Sequence, residues 1–126
     1  MNDLNYAPQE PEMWPVSKIL TSSDTSVSNA KLHFPKRPFE ERVVGQMDEE
    51  QKKILNADPF RLAIQAVDDD TNERREVIIT NVGSGYNISN KWGEVIRKKK
   101  LKAKQVIRVR WADSCLHFTV PPQYSN

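Results

Sequence analysis

Residues 86–111, YNISNKWGEVIRKKKLKAKQVIRVRW, place two strand patterns and one helix pattern within 26 residues. Tyr86-Asn87-Ile88-Ser89 alternates apolar and polar side chains, which predicts a half-buried strand. Asn90 is a good N-cap residue. Trp92, Val95 and Ile96 then recur at i, i+3 and i+4, an apolar stripe along a short helix, with Leu101 following. Arg97, Lys98, Lys99 and Lys100 occupy the opposite face. Val106, Ile107 and Val109, set between Gln105, Arg108 and Arg110, predict a second strand. The other strands need such a helix as a lid, and a partner could use its charge.

Between Lys91 and Arg110 nine Lys and Arg face one acidic residue, Glu94. The whole chain carries only +2, because acidic stretches at 40–50 and 68–76 offset the basic block. Such asymmetry points to a polyanionic partner on one face. For a lysine run alone, a solvated helix face is the plainer reading. At 126 residues the chain is one domain with a modest core: a flexible leader at 1–13, a domain at 14–121 and a flexible tail at 122–126. One cysteine, Cys115, excludes an internal disulfide and fits a reducing compartment. No apolar run approaches the roughly 18 residues of a membrane span.

The rest reads as short strands. Residues 14–20 predict the first, with proline tolerated at its start. Residues 21–29 are a run of small hydroxyl and amide side chains, which compete with regular hydrogen bonding and make a loop. Lys31-Leu32-His33-Phe34 is a strand stopped by Pro35. Residues 47–55 predict a helix, with Asp48 as N-cap, Glu49 and Glu50 in the first turn and lysines in the last. Residues 60–67 and 76–80 form a hairpin about the turn 68–72, residues 81–85 form a second loop of small residues, and residues 115–120 are the last strand. The result is mainly β: seven strands and two short helices. The strands are too closely spaced for crossover helices, so the sheet is mainly antiparallel. Closure into a barrel-like sheet capped by the helices removes exposed edges.

Catalytic chemistry finds little support. Cys115 and His117 share a strand face, so a Cys–His dyad is conceivable, but a free cysteine on a strand is ordinarily buried. His33, His117 and one cysteine match no metal-site spacing. Asp68-Asp69-Asp70 lacks the glycine and distal glutamate of a calcium loop. Gly83-Ser84-Gly85 lacks the Gly-Lys-Ser/Thr of a phosphate loop. The expectation is a chain that is no enzyme and has no cofactor, metal or small-molecule substrate. The two loops offer hydroxyls, amides and lysines at exposed turns, groups that contact phosphates and base edges.

These loops carry a resemblance. Lys18-Ile19-Leu20-Thr21-Ser22-Ser23-Asp24, a polar loop, and Lys31-Leu32-His33-Phe34-Pro35-Lys36 resemble the opening of the plant B3 DNA-binding domain, "K-x-L-T-x-S-D-V" followed by a strand ending in "P-K". Tyr86-Asn87-Ile88-Ser89-Asn90-Lys91-Trp92-Gly93-Glu94-Val95-Ile96 resembles its "Y-V-L-T-x-G-W-x-x-F-V" block, and Leu101-Lys102-Ala103-Lys104-Gln105-Val106-Ile107 its "L-x-A-G-D-x-I/V". The likeness spans residues 16–120. It implies a seven-stranded open pseudobarrel whose two arms grip the major groove of double-stranded DNA, in a nuclear regulator of transcription that also meets protein partners. The N-arm would be 21–31 and the C-arm 80–85. The implied DNA-binding residues are Lys18, Thr21, Ser23, Ser28, Asn29 and Lys31, with Asn81, Val82, Gly83 and Ser84. Lys18 and Ser23 would hold backbone phosphate, and Lys31 and Asn81 would enter the groove. The family's "W-N-S-S" is Thr80-Asn81-Val82-Gly83 here, its "G-D" is Lys104-Gln105, and its N-arm asparagine aligns with Ala30, beside Asn29. The resemblance therefore implies no particular target sequence. The alternative is a module of the same fold that binds proteins and has weak or non-specific DNA affinity.

Overall fold

A computed structural model of the chain describes residues 13–57 and 61–122. The expected leader and tail lie outside them, save Met13 and Pro122. Seven strands form one sheet: β1 (Val16–Ile19), β2 (Leu32–Pro35), β3 (Arg61–Asp68), β4 (Glu73–Asn81), β5 (Gly85–Asn90), β6 (Val106–Ala112) and β7 (Cys115–Thr119). Their spatial order is β1-β6-β7-β3-β4-β5-β2. All neighbours pair antiparallel except β3 and β7, which run parallel. The sheet curls into a nearly closed barrel. Its inward faces hold Leu32, Phe34, Leu62, Ile64, Val77, Ile79, Tyr86, Ile88, Ile107, Val109, Leu116 and Phe118.

Among the described residues three α-helices accompany it: α1 (Lys36–Arg42), α2 (Glu49–Asn56) and α3 (Trp92–Lys99). α2 and α3 stand where the periodicity puts them. Asp48 and Gln51 form a reciprocal capping box, with Gln51 N–H donating to Asp48 Oδ1 at 2.8 Å and Asp48 N–H to Gln51 Oε1 at 3.1 Å. α1 is an addition. Pro35 ends β2 and is also the N-cap of α1, and Pro38 sits in the first turn, where a missing N–H breaks no helical bond. The helix plants Phe39, fully buried, against Phe34 at 4.8 Å and Tyr86 at 5.3 Å between ring centroids. The Tyr86 hydroxyl donates to Glu40 Oε2 at 2.9 Å. Burial, reinforced by that carboxylate, pushes the phenol far above its ordinary pKa.

Asn90 does not cap α3. It ends β5 at a φ of 75°, and Lys91 takes the N-cap position. Trp92, Val95 and Ile96 are buried as the stripe requires, and α3 caps the barrel. Trp111 is only half-buried, packed against the edge of the core.

The basic block is not a bare cationic face. Lys99 Nζ lies 3.0 Å from Asp68 and 2.9 Å from Asp70, Lys98 pairs with Glu73, and Lys91 reaches Glu94 at 3.6 Å. Arg110 meets Asp69 at 3.0 Å, and His117 Nδ1 lies 2.8 Å from the same carboxylate. The β3–β4 turn thus folds its acids onto the lysines of α3. Burial alone would lower the Lys99 pKa, but hydrogen bonds and attraction from Asp70 and Asp68 raise it. Much of the charge expected to attract a polyanion is neutralised within the fold.

Candidate nucleic-acid interface

The barrel is incomplete between its two end strands, β1 and β2, and the N-arm connects them. In the β2–β5 register His33 opposes Asn87. Both peptide groups of His33 turn away from β5, and side chains meet them. Lys18 Nζ, from β1, donates to His33 O, and His33 N–H donates to Asp24 Oδ1 at 3.1 Å. Lys18 and Asp24 also pair with each other at 2.9 Å. An ion pair therefore staples the open seam.

Asp24 organises the arm as well. Its carboxylate accepts from Thr21 N–H at 2.8 Å and from the Thr21 hydroxyl at 3.0 Å, and its carbonyl accepts from Trp92 Nε1 at 3.1 Å. Only 2% of Asp24 is exposed. Burial pushes this carboxyl up, but hydrogen bonds from Lys18, Thr21 N–H and His33 N–H, with the Lys18 charge, outweigh it and hold the pKa below the usual range. Beyond Asp24 the arm makes a turn and a 3-10 segment, Val27–Asn29, none of it buried. Gly93 on α3 supports it: a Cβ there would lie 3.4 Å from the Ala30 Cβ.

The C-arm is a tight turn between β4 and β5. Val82 N–H donates to Gly85 O at 2.9 Å, and Gly83 takes a φ of 87° at the tip. Asn81 Oδ1 accepts from Gly83 N–H at 3.0 Å, and its Nδ2 donates to Leu55 O on α2, also at 3.0 Å. Gly85 lies so close to β2 that an added Cβ would sit 2.1 Å from Phe34 O.

Between the arms runs an outward row across four strands: His33, Asn87, Thr80 and Arg61, opposed in successive registers. His33 Nδ1 and Asn87 Oδ1 lie 2.8 Å apart. The N-arm side of this row is an open cleft of ≈ 380 Å³ lined by Ser23, Asp24, Ser26, Asn29, Lys31, His33 and Asn87. Lys31 and Arg61 are exposed and make no ion pair among the described residues.

The sequence-predicted residues divide accordingly. Ser23, Asn29 and Lys31 line the cleft, and Ser28 is exposed on the arm, its hydroxyl 3.0 Å from that of Ser26. Val82, Gly83 and Ser84 are exposed at the C-arm tip. Lys18, expected to hold backbone phosphate, has a side chain only 12% exposed, and its ammonium is held by Asp24 and His33 O. The Thr21 hydroxyl is engaged by Asp24, and the Asn81 amide by α2 and its own turn. Sequence reasoning missed Asp24, His33, Asn87 and Arg61. The signal for His33 and Asn87 was available: each is the polar member between two buried apolar residues of its strand.

Residues 14–120 match the family described as "B3 domain-containing protein At5g26805, C-terminal domain". The B3 domain-containing protein At3g28853 of Arabidopsis thaliana is 28% identical over 114 residues, which cover 89% of this chain and 90% of that protein. Among solved structures, a chain of an Arabidopsis FUS3–DNA complex superposes with a TM-score of 0.65 at 17% identity, covering 88% of this chain and 99% of its own. That likeness is one of fold.

Proposed function

Because the chain belongs to the B3 domain family, we propose that it binds double-stranded DNA, with the N-arm and C-arm entering the major groove and the outward row of β2, β5, β4 and β3 facing the duplex between them. The supporting observation is the cleft beside the N-arm, where Ser23, Asn29 and Lys31 converge with the His33–Asn87 pair on a surface that the protein leaves open. Hydroxyl, amide and ammonium donors suit phosphate oxygens and base edges alike. Lys31 and Arg61 supply the charge, while Ser28, Ser84 and the Gly83 backbone approach from the arm tips. Lys18, Thr21 and Asn81 hold the arms in place rather than touch the duplex. Residues 14–121 form the binding module, acting in the nucleus as a non-enzymatic regulator of transcription.

The alternative, a protein-binding module with weak and non-specific DNA affinity, draws on a separate observation. Lys98, Lys99 and Arg110 of the basic block are paired with the β3–β4 acids, and the Asn81 amide is bonded to Leu55 O. Fluorescence anisotropy against random duplex at rising salt separates the two. Counterion release gives a log–log slope of about −0.9 per neutralised phosphate. Lys31→Ala is expected to flatten it by up to about one unit. Binding that is undetectable at low salt, or flat as salt rises, favours the protein-binding module.

A further inference from the structure

This inference rests on the DNA-binding reading. Five large hydrophobic residues are exposed among the described residues: Met13, Ile19, Val27, Ile54 and Val82. Two of them sit one on each arm, Val27 at 47% exposure and Val82 at 44%, among residues otherwise chosen for hydroxyls, amides and charge. A lone exposed valine calls for no explanation. One on each of the two arms is a pattern. Neither is free to swing away with its backbone. Val27 opens the 3-10 turn, and the Val82 N–H is bonded to Gly85 O. A β-branched side chain has few rotamers to lose on contact.

In the major groove one base alone presents an apolar group, the C5-methyl of thymine. On the C-arm the Asn81 amide is engaged by Leu55 O and Gly83 N–H, and the exposed side chains are those of Val82 and Ser84. A serine hydroxyl suits any phosphate or base edge; the Val82 methyls suit only a thymine methyl. We propose that Val27 and Val82 pack against thymine C5-methyl groups, so that the protein prefers thymine-bearing duplex.

The test compares two pools of short random-sequence duplexes, one made with thymine and one with uracil, which pairs identically but lacks the methyl. The wild-type chain is expected to bind the thymine pool more tightly, by about fourfold for each methyl contacted, the factor equivalent to about 0.8 kcal/mol for one methyl-sized group leaving water. Val82→Ser and Val27→Ser should each reduce affinity for the thymine pool and leave the uracil pool unchanged, with thermal unfolding as in the wild type. In the double variant the thymine-to-uracil ratio should fall to one. Equal wild-type affinity for both pools overturns the inference and leaves DNA binding standing. A ratio that persists in the double variant also overturns it, since the preference then comes from duplex shape. Absence of wild-type binding to either pool at low salt defeats the DNA-binding reading, and the inference with it.

Discussion

Asp24→Asn is the most informative single change. It preserves shape and removes one charge from a site where the carboxylate accepts from Lys18, Thr21 and His33. The partner ammonium has nowhere to go, because the Lys18 side chain is only 12% exposed. Breaking a buried pair from one side costs about 3–5 kcal/mol, because the surviving charge stays desolvated. Against a domain stability of about 5–15 kcal/mol, that is about a fifth of the total or more. Urea unfolding followed by tryptophan fluorescence reads it directly as a fall in midpoint at unchanged slope. The pH dependence adds a second check. The folded pKa lies below the ordinary aspartate value of 3.8, so this stabilisation is complete above that value and disappears as pH falls through the folded pKa. The gap between wild type and variant should therefore be widest near neutrality and narrow below pH 3.8. In Lys18→Met/Asp24→Asn the loss should be smaller than the sum of the singles, since no unpaired charge remains. A neutral-pH loss under about 1 kcal/mol, the size of a solvent-exposed pair, would refute the staple.

Three further changes probe the same framework. Gly85→Ala drives a Cβ into Phe34 O and His33, so it should lower stability by about 1–3 kcal/mol and loosen β2 from β5, seen as faster amide exchange across that pair. Asn81→Ala strips the C-arm of its bonds to Leu55 O and Gly83 N–H and should cost about 1–3 kcal/mol in chemical denaturation, whereas a merely exposed loop asparagine would cost next to nothing. Trp92→Phe keeps an aromatic ring against Phe118 but orphans the Asp24 carbonyl, for an expected loss of about 1–3 kcal/mol and a shift of N-arm resonances in NMR spectra.

The strands were legible because alternation reports burial, and burial is what a barrel wall demands. Leu62, Ile64, Val77, Ile79 and Ile88 all point inward as their spacing requires. Local reasoning failed where a polar group chose between solvent and a distant partner. Lys18 and Asn81 read as outward donors, yet each meets an acceptor fixed by chain remote from it, His33 and Leu55. The lysines of α3 read as a free face because Asp68, Asp70 and Glu73 lie far upstream and reach them only through the barrel. α1 escaped notice for a different reason. Pro35 before it, Pro38 within it and a short acidic run resemble a loop, and what makes it a helix is Phe39 seeking Phe34 and Tyr86.

The seam also dictates when the molecule can first work. β1 and β2 leave the ribosome early, yet their pairing partners are β6 and β5, which arrive only with residues 106–112 and 85–90. Loop closure over such separations precedes any reward from contact, which makes it a late step. Lys18, Asp24 and His33 lie close together along the chain, but the strands that carry Lys18 and His33 find their sheet partners only when β6 and β5 arrive. The N-arm is therefore fixed in the barrel late in folding. A stalled or truncated chain lacking β6 would leave the arm unbuilt, and competence to bind would appear in a single step with the finished barrel.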